Sequence, residues 1–293
     1  FNDVNLNMPE EGGEVMRIGG LNLNMEMFKY DPSVLPDYQA KVENLVMADE
    51  NAEPDSAMVM DIFSSLLTLL GDGFTSEYQL SDITIRDPKN KENYESIKID
   101  KANFGFDMTG FLQNNVAFNL RLGFDGFDMQ PLPENFPAIA PKNFNLDLAI
   151  ENIPFNEISE MSKQTAQMAI DNPQMAQMAG MSVLFKLPAL LSQAETSLVI
   201  NNNYLGNDEY HVDLDGKVVT DLQAVNSATA DITGKIRNLD TLLNMMNEYV
   251  RNNPDDQQSK QILMGLTMAK GLAEISTDEN GNPLHIFKFI MIY

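Results

Sequence analysis

The chain has 293 residues, 43 of them acidic and 19 basic, a formal net charge of -24, and neither cysteine nor tryptophan. This balance argues against a sequence-independent grip on nucleic-acid phosphates, which needs clustered Lys and Arg, and it repels the chain as a whole from an anionic membrane surface. Disulfides, zinc fingers, iron–sulfur clusters and a cysteine nucleophile are excluded, and His211 and His285 are too few for a histidine-rich metal site.

Asn occurs 31 times and Met 19 times. Asn favours turns and strand ends, and Met fills irregular apolar space without imposing one packing. Two readings stay open: a biased genome with a soft core, or an apolar surface that adapts to varied ligands. The sequence starts inside a strand-like pattern, FNDVNLNM, and stops inside another, PLHIFKFIMIY. The expectation is a piece of a longer protein whose signal or anchor would precede Phe1.

Period-two alternation dominates from the start. It runs through LNLNMEM (Leu21, Leu23, Met25, Met27), NFGFDM (Phe104, Phe106, Met108), VAFNLRLGF (Val116, Phe118, Leu120, Leu122, Phe124), FNLDLAI (Phe144, Leu146, Leu148, Ile150) and YHVDLDGKVV. Such strands turn one face to a core and the other to water. Residues 1–27 followed by 38–47 parallel residues 78–108 followed by 115–129, with Asp3 matching Asp82 and Leu23 matching Phe104. The spacing predicts two three-stranded meanders joined into one extended sheet, with 38–47 as a strand.

Helical spacing interrupts the strands three times. Val59, Phe63, Leu66, Leu67 and Leu70 form a stripe over about 57–70, ended by Gly71 or Gly73. The regions 157–191 and 239–272 are each divided by an Asn–Pro pair, at Asn172–Pro173 and Asn253–Pro254, and each reads as a helical hairpin. The proline-rich segment 130–143 is a linker and sets a soft boundary between a unit 1–130 and a unit 144–293. The expected fold is α+β and β-dominated: an extended twisted antiparallel sheet of repeated meanders, with helical hairpins packing on its apolar face.

Catalytic patterns fail on inspection. GGEVMRIGG and GDGF lack the dinucleotide fingerprint and the P-loop lysine, and neither GxSxG nor HExxH occurs. His211 reads as a solvated strand residue. Asp278, Asn280 and Asn282 suggest calcium, but Pro283 stands where an EF-hand needs glycine, and Asn280–Gly281 reads as a hairpin turn. The residues therefore predict no catalytic, cofactor or metal site. Met175, Met178 and Met181, with Met161 and Met168 upstream, form a helical stripe that is either core or the wall of a greasy groove for an acyl chain.

The phrases YQLSDITIRD…ESIKIDKANFGFDM, FKLPALLSQAETSLVINNN, YHVDLDGKVV, SATADITGKI, RNLDTLLNMM and ENGNPLHIFKF resemble the YdgA-like group of Gram-negative envelope proteins and, more distantly, the AsmA-like superfamily. The resemblance implies export to the periplasm, inner-membrane anchoring through a preceding segment, and a role in envelope biogenesis or lipid traffic. It carries no active-site residues. A cysteine-free chain suits an oxidising compartment.

Two functional expectations follow. One is a non-enzymatic envelope protein that binds or hands on lipid through an apolar face comprising Phe104, Phe106, Val116, Phe118, Leu120, Leu122, Phe124, Met175, Met178 and Met181. The other is a scaffold subunit that binds an envelope partner through sheet edges, with no ligand. A hydrolase acting on envelope polymers through some pair of carboxylates is the least supported, since no spacing singles out a pair.

Overall fold

The alternating segments pair into one sheet, described in a computed structural model covering residues 2–8, 13–46, 56–86, 96–130, 139–171, 176–222, 228–278 and 280–291. In chain order the elements are β1 (Asn2–Met8), β2 (Gly13–Phe28), α1 (Leu35–Val46), α2 (Ser56–Leu70), β3 (Gly73–Arg86), β4 (Ser96–Thr109), β5 (Val116–Asp125), β6 (Asp128–Gln130) and β7 (Asn143–Ile153). Then follow α3 (Phe155–Asp171), α4 (Ala176–Gln193), β8 (Ser197–Gly206), β9 (His211–Thr220), β10 (Ala228–Arg237), α5 (Leu239–Asn252), α6 (Gln257–Leu272), β11 (Glu274–Thr277) and β12 (Pro283–Met291).

The sheet is antiparallel throughout, in the order β1-β2-β3-β4-β5-β7-β8-β9-β10-β12-β11, with β6 paired to β4. The fold is therefore β-dominated and meander-like. Its one crossover places β12 between β10 and β11. Residues 131–138 of the expected linker lie outside the described residues, yet β5 and β7 on either side pair directly, from Phe118↔Ile150 to Phe124↔Phe144. One sheet runs through the expected boundary.

The segment 38–47 is a correction: residues 38–46 belong to helix α1 rather than a strand. Tyr38, Val42 and Leu45 fit helical spacing as well as alternation fits the segment, and ion pairs favour the helix. Lys41 reaches Asp37 one turn back at 2.8 Å and Asp61 of α2 at 3.0 Å, and donates to Ser65 Oγ at 2.9 Å. The expected helix at 57–70 is α2, and the two divided regions are the hairpins α3–α4 and α5–α6.

Each helical hairpin leaves and re-enters the sheet at one end of the strands. α1–α2 and α3–α4 share the end where β2 and β7 finish, whereas α5–α6 springs from the end where β10 finishes. At the first of these ends Asp72 ties the chain together. Its amide donates to Phe28 O, its carbonyl accepts from Gly110 N, and its carboxylate accepts from Leu112 N and Lys29 Nζ. Burial raises the Asp72 pKa, but the Leu112 amide and Lys29 outweigh it and hold the carboxyl below its ordinary value.

The main packed core lies where α5–α6 meets the sheet. Leu239, Leu242, Leu243 and Met246 of α5 pack with Tyr210 and Ile236, flanked by Val212, Leu263, Leu266 and Phe287. Asp256 caps α6 by accepting from Ser259 N. Outside this region the sheet, among the described residues, is a single layer.

Candidate apolar binding face

Cross-strand partners share a face, so the register shows which side chains lie together. Starting at β2, Leu23 pairs with Tyr78, Tyr78 with Phe104, Phe104 with Leu122, and Leu122 with Leu146. The next row runs Met25–Ser76–Phe106–Leu120–Leu148–Ile200–Gly216–Ile232–Phe289. A third joins Met27, Phe74, Met108, Phe118, Ile150, Leu198, Val218, Ala230 and Met291. One apolar face thus extends across nine strands, about 40 Å at the usual strand spacing.

Aromatic pairs stiffen this face. The ring centroids of Tyr78 and Phe104 lie 5.9 Å apart, those of Phe74 and Phe106 5.9 Å, and those of Phe124 and Phe144 5.7 Å. Such pairs stabilise the ladder without a second layer.

The helices cover only a corner of the face, where α5 sits over Val212, Ile236 and Phe287. Elsewhere large apolar residues meet water: Phe104 is 42% exposed, Ile150 45%, Leu214 40% and Phe289 57%. Along a strand the stripe from Phe118 to Phe124 measures about 20 Å, so the whole face, with the corner under α5, has a footprint of roughly 800 Å², of which about half or less meets water. Even so reduced it reaches the 300–600 Å² of the largest apolar patch on an ordinary monomer, which is often functional.

The face holds a largely apolar hollow of about 290 Å³ among Phe144, Leu146, Leu148, Ile200, Leu205 and Leu214, bordered by Asn145, Asn203 and Tyr204. A bulge in β8 shapes it. The register with β7 slips between Asn145 and Leu148, and that with β9 slips between Ile200 and Asn203. Asn202 supplies the left-handed conformation the slip needs, with φ 49°. Asn203, buried, fills the gap in the ladder: its Oδ1 accepts from Asp147 N and its Nδ2 donates to Asp147 O at 3.2 Å. A side-chain amide replaces the missing strand bonds.

The opposite face is polar. Arg121 pairs with Asp107 at 2.7 Å over Gly105, where a Cβ would approach Arg121 Nε to 2.7 Å. Burial pushes the neighbouring Asp147 carboxyl above its ordinary value, opposed by the charge of Arg121. On β9, His211 Nε2 lies 2.9 Å from Asp213, an ordinary strand-surface contact. Asn280 and Gly281 form the expected hairpin turn: Asp278 accepts from Asn280 N and Asn282 N, and Gly281 takes φ 82°. Among the described residues no three His, Cys, Asp or Glu side chains gather as a metal site requires.

Of the residues expected to line the groove, Phe104, Phe106, Phe118, Leu120, Leu122 and Phe124 share the apolar face of β4 and β5. Val116 does not line a groove. It is wholly buried at the β5 end beside a register shift, so no ligand could reach it. Met175 lies outside the described residues. Met178 and Met181 are exposed on α4, whose sheet contact is with β9, so they do not join the β4–β5 set. The residues of the hollow on β8 and β9 were missed because SLVINNNYLG loses its alternation at the bulge; the run of three Asn was the available signal.

No family model matches the chain, and neither a curated protein nor a solved structure matches it.

Proposed function

We propose that this is a non-enzymatic periplasmic protein of the cell envelope that binds lipid, or hands it on, with acyl chains lying against the apolar face of the sheet. The observation that carries this reading is the open face itself. Burying about 400 Å² of apolar surface is worth on the order of 10 kcal/mol before the costs of ordering and association. An acyl chain suits a broad face with a shallow, largely apolar hollow, because it needs no directional bond. The stripe of about 20 Å along the strands accommodates a chain as long as one bilayer leaflet is deep, ~15 Å. The envelope location draws on the resemblance of the sequence to YdgA-like proteins and on the absence of cysteine.

Native mass spectrometry after mild extraction tests the reading. Adducts of phospholipid or fatty-acid mass, lost when Leu205 and Leu214 are replaced by Gln, are expected. Lipid-free protein across several preparations overturns it.

A second reading, the scaffold subunit, draws on β12. Among the described residues β11 pairs only with Pro283–Ile286 of β12, while Phe289 and Ile290 beyond them are 57% and 52% exposed. A stoichiometric envelope partner, lost when a proline is placed in this edge, together with lipid-free protein, would favour it.

A further inference from the structure

We propose that helix α4 of the α3–α4 hairpin is a membrane-docking element, which lays its apolar stripe in the surface of a phospholipid bilayer and brings the sheet's apolar face to it. The stripe consists of Met178, Met181, Leu184, Phe185 and Pro188, at successive spacings of three, three, one and three residues, which fall within one side of a helix. Phe185 is 78% exposed, Leu184 70% and Met178 64%. Met168 on α3 of the same hairpin is also exposed. A helix this apolar is ordinarily buried, so its exposure needs an apolar partner.

Charge identifies the partner. Residues 161–194 hold one acid, Asp171, against Lys163 and Lys186, whereas a proportional share of the chain's acids would be about five. The body of the chain, at net charge -24, is repelled by an anionic bilayer, and the other acid-poor apolar helix, α6 with Lys260 and Lys270, lies at the opposite end of the sheet. Of the acids of α3, Glu157 and Glu160 stand in its first two turns, at the sheet end of the hairpin, and Asp171 closes its far end. Lys163 and Lys186 outweigh that single acid, so a bilayer surface is approachable along α4. Among the described residues no helix is long and apolar enough to cross a membrane, so α4 would lie in the interface rather than span it.

The base of α4 is secured to the sheet where the apolar face reaches its end. Leu191 O accepts from Thr196 N and Thr220 Oγ1, both at 2.9 Å, and Ser192 Oγ accepts from Leu222 N. Two residues after Thr196 comes Leu198, in the row of Ile150 and Val218. A lipid leaving the bilayer beside α4 would meet that row first. This transfer rests on the lipid reading above, whereas the docking does not.

The test is flotation of the 293-residue chain with vesicles of phosphatidylethanolamine containing a minority of phosphatidylglycerol. The wild type should float, and raised salt should not weaken binding, because screening relieves the repulsion of the acidic body. The double variant L184Q/F185Q should bind at least about tenfold more weakly. The variant I262Q/M268Q, which alters exposed apolar residues of α6, should bind as the wild type does. Failure of the wild type to float, or equal losses in the two variants, overturns the docking. A chain that carries lipid yet does not float refutes the docking and leaves the lipid reading standing; a chain that floats yet never carries lipid does the reverse.

Discussion

Replacing Phe104 by alanine separates an open face from a packed core. A phenylalanine carries on the order of 200 Å² of side-chain surface. With Phe104 42% exposed, about 120 Å² is withdrawn from water, worth ~3 kcal/mol at 25 cal/mol per Å². The alanine methyl keeps part of this, and the vacated space opens to solvent instead of becoming an enclosed cavity. The expected loss is about 1–2 kcal/mol, whereas a phenylalanine sealed in a core costs about 3–5 kcal/mol. Leu239, with no exposed surface, is the internal standard, and L239A should cost about 3–5 kcal/mol. Urea unfolding of delipidated protein followed by far-ultraviolet circular dichroism measures both, provided the slope is unchanged. Phe118→Ala and Leu120→Ala should resemble F104A. Added lipid should stabilise the wild type through linkage and F104A by less. A loss at Phe104 equal to that at Leu239, with no response to lipid, would refute the open face.

Asn203→Ala should cost about 2 kcal/mol, because it strands the Asp147 amide and carbonyl at the bulge; a loss below the error of urea titration would mean that water replaces the amide. Asp147→Asn should stabilise the protein at neutral pH and do nothing in acid. The folded pKa lies above the ordinary value of 3.8, so the ionised carboxylate carries a penalty that is absent below that value, grows as pH rises towards the folded pKa, and is constant beyond it. Stability measured from pH 3 to 7 checks the sign, and an advantage of the wild type over D147N above pH 5 would contradict it.

The alternating strands were legible because each exposes one face to water, which keeps polar and apolar residues strictly in turn. VAFNLRLGF is β5 almost residue for residue, and Asn253–Pro254 falls at the turn between α5 and α6, while Asn172–Pro173 lies outside the described residues. The bulge of β8 was not legible, since two residues that step out of the ladder erase the period on either side. Helix α1 was missed because Tyr38, Val42 and Val46 satisfy both periods, and the Lys41 contacts that favour the helix come from α2, far along the chain. Alternation also cannot tell an uncovered apolar face from a covered one. The face of Phe104 and Leu122 reads the same whether helices lie over it or stand at its ends, and only the positions of the hairpins distinguish the two. Val116 shows the converse: it fits the period of β5, yet the register shift beside it leaves it buried.

The absence of tryptophan permits a direct measurement at the hollow. Leu214→Trp places one indole on the apolar face, at a position 40% exposed, in a chain with no other. In delipidated protein its emission should be close to that of a half-solvated indole. Phospholipid should shift the emission to the blue, and phospholipid brominated along its acyl chains should quench it. Emission unmoved by lipid and unquenched by brominated chains would contradict the assignment of this face as an acyl-chain surface.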